Sequence, residues 1–481
     1  MKKILLAITF SLILQSFGLL AQWQSDLRLT NDPAFSYTPD NNAWCVAASA
    51  NVVHVVWYDI RDGNREIYYK RSADGGASWG ADTRLTNNSA LSELPSIAVS
   101  GLEVHVVWHD ARDGNREIYY KRSLDGGVSW EADTRITDNV EVSQLPSVSV
   151  SGQLVSLVWQ DSRDGNEEIY YNRSTNGGAS WGTDTRISNA AGNSNSPSVT
   201  VSGLFVHVVW YDLRDGNWEI YYKRSSDGGA SWGPETRLTN NAAFSQLPSV
   251  AVSGQVVSVL WQDERDGNYE IYYKRSIDGG VSWGADTRLT NNPAPSVNPS
   301  VSVSGLAVHV VWFDNRDVNE EIYYKRSIDG GVNWGADTRL TNNTSSSQYS
   351  SVAVSGSSVH VVWQDNRDGN YELYYKRDPT GNPIGIININ SEIPKEFSLS
   401  QNYPNPFNPV TNIEFQIPKA GFVKLTVFDQ LGKEVETLSE GNLNAGTYKV
   451  DWNAGNYPSG VYFYRLTAEN YTRTSKMILI K

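Results

Sequence analysis

"PSIAVSGLEVHVVWHDARDGNREIYYKRSLDGGVSWEADTRIT", residues 95–137, decides the fold. It holds four short segments, SIAVS, VHVVWHD, EIYYKRS and DTRIT, rich in β-branched and aromatic residues and separated by Gly, Asp and Asn turns. No helical period of apolar residues runs through them, so they are strands, here named A to D. The stretch is one of several copies. Trp57, Trp108, Trp159, Trp210, Trp261, Trp312 and Trp363 stand 51 residues apart, and so do Trp79, Trp130, Trp181, Trp232, Trp283 and Trp334.

A four-stranded unit repeating at this length predicts an all-β chain folded as a β-propeller, in which radial packing protects the sheet edges. A parallel β-helix uses shorter turns per repeat, and one 51-residue sheet cannot readily bury both faces alone. Strands A, B and C occur seven times, but D follows C only six times. The last copy, "ELYYKRDPTGNPIG" (372–385), runs into prolines instead. The missing strand is found at the other end of the chain, where "LRLTND" (27–32) matches "TRLTNN" (83–88). Seven blades are therefore expected, the ring closed by Leu27 to Thr30 pairing with 372–377.

The rest of the chain bounds the context. Residues 1–21, with two lysines, a short apolar run and Ala21, read as a secretory signal rather than a membrane anchor. Cys45 stands alone, so no internal disulfide supports the fold and a buried apolar role is expected for it. A formal net charge of −13 argues against nucleic acid and anionic membranes as partners. No metal or cofactor is implied. After 26–385, residues 386–396 read as a linker, and 397–481 alternate apolar and polar residues between Pro and Gly turns, the pattern of a small Ig-like β-sandwich.

Two repeated blocks look chemical. The C-to-D connection, Ser72-x-Asp74-Gly75-Gly76-x-Ser78-Trp79, resembles the Asp-box, or BNR repeat, of sialidases and related propellers. Matching pairs are Asp125 and Trp130, Asn176 and Trp181, Asp227 and Trp232, Asp278 and Trp283, and Asp329 and Trp334. The Asp accepts hydrogen bonds from turn amides, paired glycines permit positive φ, and the Trp covers the hairpin. Family resemblance implies a structural role away from any active site. The B-to-C block "RDGNxEIY" is similar to the repeat of the periplasmic propeller of the Tol system, which binds protein partners. Its carboxylates lack EF-hand spacing, so an Asp59–Arg61 pair pinning the hairpin is expected rather than calcium.

Sialidase resemblance makes an exo-glycosidase the alternative function. That family carries an arginine trio, a Tyr/Glu nucleophile pair and an acid/base Asp, with one arginine in an "RIP"-type motif that is absent here. Except for Arg65 and Arg116, the propeller arginines occupy repeated positions, and equivalent sites do not by repetition supply the unequal roles catalysis needs. No catalytic residue is assigned. Binding is the preferred reading, of a glycan or a protein, by a monomer.

Residues that differ between copies are the informative ones. After the strand-B Trp stand Tyr58, His109, Gln160, Tyr211, Gln262, Phe313 and Gln364; after each Gly-Asn or Val-Asn stand Arg65, Arg116, Glu167, Trp218, Tyr269, Glu320 and Tyr371. Both sets belong to one face, opposite the Asp-boxes. Tyr58, Arg65, His109, Arg116, Tyr211, Trp218, Tyr269, Phe313 and Tyr371 form the candidate ligand-binding face, suited to sugar rings or a protein surface. Drift at solvent-exposed tips is the competing explanation.

The C-terminal stretch resembles the type A sorting domain of type IX secretion cargo. The resemblance rests on "NYPNPFNP" (Asn402, Tyr403, Pro404, Asn405, Pro406, Phe407 and onward), "VFDQLGKEV", "YPSGVYFYRL" and the terminal "KMILIK". An Ig-like domain of flagellar hook-cap proteins is the other resemblance. The first implies recognition by an outer-membrane translocon, removal of the domain, and release or surface attachment.

Overall fold

The computed structural model describes residues 23–40, 44–381, 386–390, 394–419, 421–443, 445–454 and 457–480. The predicted signal segment lies outside them. Seven antiparallel sheets of the repeat follow one another, each ordered D-C-B-A; in blade 2 the strands are Ser92–Ser100, Glu103–Asp110, Glu117–Ser123 and Thr134–Arg135. The middle strands are covered by a neighbouring blade on each side, so Val104 to Asp110 are all buried. This double coverage explains why VHVVW reads as a continuous apolar run instead of an alternation.

Ring closure follows the strand count. Leu27–Arg28 pairs antiparallel with Glu372–Asp378, Leu27 opposite Tyr375 and Arg28 opposite Tyr374. That register repeats the pairing of Thr134 with Tyr120 and Arg135 with Tyr119 inside blade 2. The match extends beyond "LRLTND". Trp23 stands four residues before its strand, as Trp79 stands before Thr83, and packs edge-on against Tyr324 of blade 6 with ring centroids 4.9 Å apart. Trp79 meets Tyr375, Trp130 meets Tyr69 and Trp181 meets Tyr120 at the same separation. Asp26 takes Lys376 and Arg367 at 2.9 and 2.7 Å, as Asp82 takes Lys70 and Arg61. The chain start thus reproduces, without a covalent hairpin, the contacts that a C-to-D connection makes elsewhere.

Strand A lines the central axis and is bulged in blades 2 to 7. The register shifts between Glu93 and Ser96, and Leu94 adopts φ 50°, as Leu145, Ser196, Leu247, Asn298 and Tyr349 do in their copies. Blade 1 departs from this. Ser36 and Trp57 are 21 residues apart in sequence, against 16 for Ser92 and Trp108, and the surplus splits strand A into Ser36–Tyr37 and Val46–Ser49. The inserted segment crosses the axis: Thr38 bonds Gln364 of blade 7, the Asp40 carbonyl accepts from Asn298 of blade 6 at 3.1 Å, and Trp44 packs against the core around Val301 and Val310. Beyond Trp44 a cavity of about 170 Å³ remains along the axis, lined by Val46, Ile97, Val150 and Val352 among others.

The C-terminal unit is a sandwich of two four-stranded sheets. Its core gathers Ile413, Phe415, Leu425, Val450, Trp452, Tyr464 and Leu466. The expected linker is corrected in one respect: Ile386–Asn390 is a strand, with Ile386 opposite Val450, that covers the edge of Gly446–Asn453. The β-prone run IININ meets an otherwise unpaired edge and completes it.

Candidate functional site

The repeated polar residues form a closed internal framework. In blade 1 the buried Asp59 carboxylate accepts from Trp57 Nε1 at 3.0 Å, Ser36 Oγ at 2.7 Å and Arg61 Nη2 at 2.6 Å. Arg61 also reaches Asp82 and lies 4.4 Å above the Tyr68 ring. Arg84 holds the fully buried Glu66 at 2.9 Å, and Arg71 donates to the Gly126 carbonyl of the next blade at 2.7 Å. The three arginine series keep these partners around the ring. In the last blade, Arg377 closes it onto the Gly75 carbonyl of blade 1, and Arg326 of blade 6 finds the Gly381 carbonyl in the segment that stands in place of a seventh hairpin. The arginines of these series are therefore spoken for.

The Asp-Gly-Gly turns are likewise self-contained. Asp74 accepts from Ser72 Oγ, Ser78 N and Ser78 Oγ at 2.5–2.8 Å, and the Ser78 hydroxyl foremost holds its carboxyl well below the usual range. Asn176 makes the same bonds from Ser174 Oγ and Ser180 N through Oδ1. These turns bind their own backbones, and their tryptophans bind the neighbouring blade.

On the opposite face the variable residues separate into groups. Tyr58, Arg65 and Tyr371 come together across blades 7 and 1, joined by Phe35 and Tyr37. The rings of Tyr37 and Tyr58 stack at 5.3 Å, Phe35 and Tyr37 at 5.8 Å, Tyr371 tilts beside Tyr37 at 5.7 Å, and the Arg65 guanidinium lies 5.7 Å from the Tyr58 centroid. Next to them Glu93 of blade 2 accepts from Arg65 and from His109 Nε2 at 3.3 Å, with Arg116 Nη2 3.7 Å away. Burial opposes ionisation of Glu93, but the His109 and Arg65 bonds prevail and hold its pKa at about 2. Asp40 is affected in the other direction: burial raises its pKa despite the nearby His109 and Arg65 charges.

The remaining candidates lie elsewhere. Trp218 stands edge-on to Tyr211 at 4.9 Å on blade 4, and Tyr269 donates to Gln246 at 3.1 Å on blade 5. Two expectations are corrected. His109 and Phe313 lie beneath the face, not on it: each is the penultimate residue of strand B, opposite the start of the strand-A bulge, and is buried there, whereas Tyr58 and Tyr211 at the same position stay partly exposed; Phe313 packs edge-on against Tyr349 at 5.4 Å. Sequence reading missed Phe35, Tyr37, Asp40 and Glu93. Glu93 was visible as the one acidic residue among Tyr37, Gln144, Asn195, Gln246, Val297 and Gln348 at its position, and Asp40 as part of the extra length before Trp57.

Cys45 is buried against Ser351 and its thiol is pushed up to about 12 by burial. Among the described residues no group of His, Cys, Asp and Glu could hold a metal ion, and no helix is long and apolar enough to cross a membrane. In the C-terminal unit, Asn402 and Phe407 are buried anchors: Asn402 Nδ2 donates to Thr411 Oγ1 at 2.8 Å, and Phe407 packs on Trp452. Between them Tyr403, Pro404, Asn405 and Pro406 are displayed, Tyr403 being 76% exposed.

No curated protein sequence matches the chain. Among solved structures, the polysaccharide lyase Uly1 is similar in fold, at 10% identity over 74% of this chain and 99% of that one, with a TM-score of 0.53. Weaker likeness extends to the endosialidase of phage phi92 (10% identity, 94% of this chain, 87% of that one, TM-score 0.47) and to Trypanosoma rangeli sialidase (12% identity, 82% and 86%, TM-score 0.43). Residues 401–481 match the family described as the secretion system C-terminal sorting domain. The chain is thus a seven-bladed β-propeller carrying a type IX sorting domain, which addresses it to the cell surface or the medium.

Proposed function

We propose that the protein is an exported binding module that engages a glycan or protein ligand through the face carrying the B-to-C connections. One observation carries this reading: the repeated arginines are each taken by a carboxylate or a backbone carbonyl of the scaffold, while partly exposed aromatic rings and guanidiniums that break the repeat gather across blades 7, 1 and 2. Aromatic and arginine side chains on one rim are what sugar rings and protein surfaces are held by. The Asp-Gly-Gly turns, on this reading, are Asp-boxes that serve the scaffold. The outer edge of each blade is a D strand of two residues, too short to template pairing with a second copy, which supports a monomer. The displayed Tyr403–Pro406 turn belongs to the part of the chain that meets the secretion machinery.

Carbohydrate cleavage is the second reading, favoured by the opposed environments of Asp40 and Glu93, since carboxylates driven apart in pKa suit unequal acid and base roles. The mature chain should be applied to a glycan panel that includes sialosides, with retention and product release both measured. Retention without turnover is expected. Robust turnover abolished by D40N or by E93Q would replace the binding reading with the catalytic one.

A further inference from the structure

Arg65 and Arg116 are the propeller's two arginines outside the repeated framework, and they occupy the same position on adjacent blades. Each side chain is 45% exposed. Both turn inward to one carboxylate, Glu93, which His109 holds from below; Arg116 also donates to Gln144 Oε1 at 3.1 Å. His109 is itself buried, and its Nδ1 finds no partner among the described residues. Two guanidiniums are thus already spaced to share a single carboxylate, with their outer edges half in solvent and a bank of parallel rings, Phe35, Tyr37 and Tyr58, beside them.

A guanidinium fork matches a carboxylate or sulfate through paired N–H groups, and aromatic rings match the C–H faces of a pyranose. Arg65 and Arg116 stand against Glu93, with Asp40 nearby, so what distinguishes this arc from the rest of the face is a pair of guanidiniums outside the repeated framework rather than a net charge. Blades 4 and 5 offer Tyr211, Trp218 and Tyr269 with the Glu264 carboxylate beside Tyr269, and no arginine outside the repeated pairs.

We infer that the arc formed by blades 7, 1 and 2 is an acidic-saccharide site, in which Arg65 and Arg116 take the carboxylate or sulfate of a sugar whose ring lies on the Phe35–Tyr37–Tyr58–Tyr371 bank. This rests on the glycan reading above and narrows it. Glu93 acts in it as a resident anion that sets the two forks and competes for their charge.

Binding of the full chain to hexagalacturonate, to a sulfated hexasaccharide and to a neutral hexasaccharide, each at low and high salt, tests the site. The acidic probes should bind at least tenfold more tightly than the neutral one, and more weakly as salt rises; comparing the two acids tells carboxylate from sulfate. R65Q/R116Q should lose that margin, and Y371A should weaken both acidic probes. E93Q, which keeps the shape and removes the competing charge, should raise acidic-probe affinity severalfold even if the arginine double variant fails to fold. Equal binding of neutral and acidic probes, or acidic binding unmoved by R65Q/R116Q and E93Q, would overturn the inference. Neutral binding lost in W218A would overturn it while leaving the glycan reading standing; no binding of any probe would end both.

Discussion

At the residue scale, two backbone positions show how tightly each blade depends on its neighbour. Gly127, the second glycine of its turn, has φ +82°, and a Cβ there would lie 1.8 Å from the Tyr69 hydroxyl of the preceding blade. That hydroxyl is fixed by His54 Nδ1 at 2.7 Å and its ring by Trp130, so it has nowhere to retreat. G127A should therefore cost on the order of 3 kcal/mol in denaturant unfolding, combining overpacking with strain at positive φ. Val318 is the converse case. It holds φ 92° where the other copies have glycine, and it is 99% exposed, so its side chain gives nothing back. V318G should stabilise the protein by about 1 kcal/mol, because relief of strain at a β-branched residue exceeds the added chain entropy. The bonds inside the Asp-Gly-Gly turns were legible because Ser72, Asp74 and Ser78 stand within seven residues of one another. That the second glycine is demanded by a tyrosine 58 residues earlier was not, since it depends on how blades pack.

At the scale of the element, the chain start is the part that makes a ring from seven repeats. Strand counting was enough to place Leu27 to Thr30, because a missing D strand and a spare one can be matched by their side chains alone. Trp23 and Asp26 follow the same alignment, "WQSDLR" against "WGADTR", and their roles become plain once Tyr324, Lys376 and Arg367 are seen to need them. Trp23 is joined to its partner blade by no covalent hairpin, so W23A should destabilise the ring by about 3 kcal/mol, in the range for removing a large packed aromatic. Deleting residues 23–31 should lower the unfolding temperature far more, and an unchanged temperature would refute closure by this segment. The split strand A of blade 1 was not legible. Its surplus length could be counted, but a segment that crosses the axis to Asn298 and Gln364 is held by long-range contacts that no local pattern announces.

At the scale of the whole molecule, the same packing sets a pH response. His54, His105, His207 and His360 are buried beside tyrosine hydroxyls, and burial first, then a neighbouring arginine, lowers each from 6.5 to about 4. The unfolded chain takes up protons below pH 6.5 that the folded chain refuses until about pH 4. Stability is thus complete above pH 6.5 and falls between those limits, by about 3 kcal/mol per histidine. Melting temperature should decline steeply over that window. H207S should flatten the decline, since Ser156 and Ser258 already bond Tyr171 and Tyr273 at the same place in blades 3 and 5; a melting temperature flat from pH 7 to 4.5 would contradict the account.

Seen whole, the propeller is a near-symmetric ring, and its function is read from the residues that break the repeat on the B-to-C face. The variable positions were visible in the sequence, but their grouping was not, because Glu93 draws in side chains from two blades and Tyr37 and Asp40 tie blade 1 to blades 7 and 6, far away along the chain. The most direct test is retention of the mature protein on a glycan array, compared with two variants: R65Q/Y371A on the B-to-C face, and I277S/I328S at exposed positions of the Asp-Gly-Gly turns. The first variant should lose retention and the second should keep it. Retention that survives the first variant and is lost in the second would place the ligand on the wrong face and contradict binding through the B-to-C face.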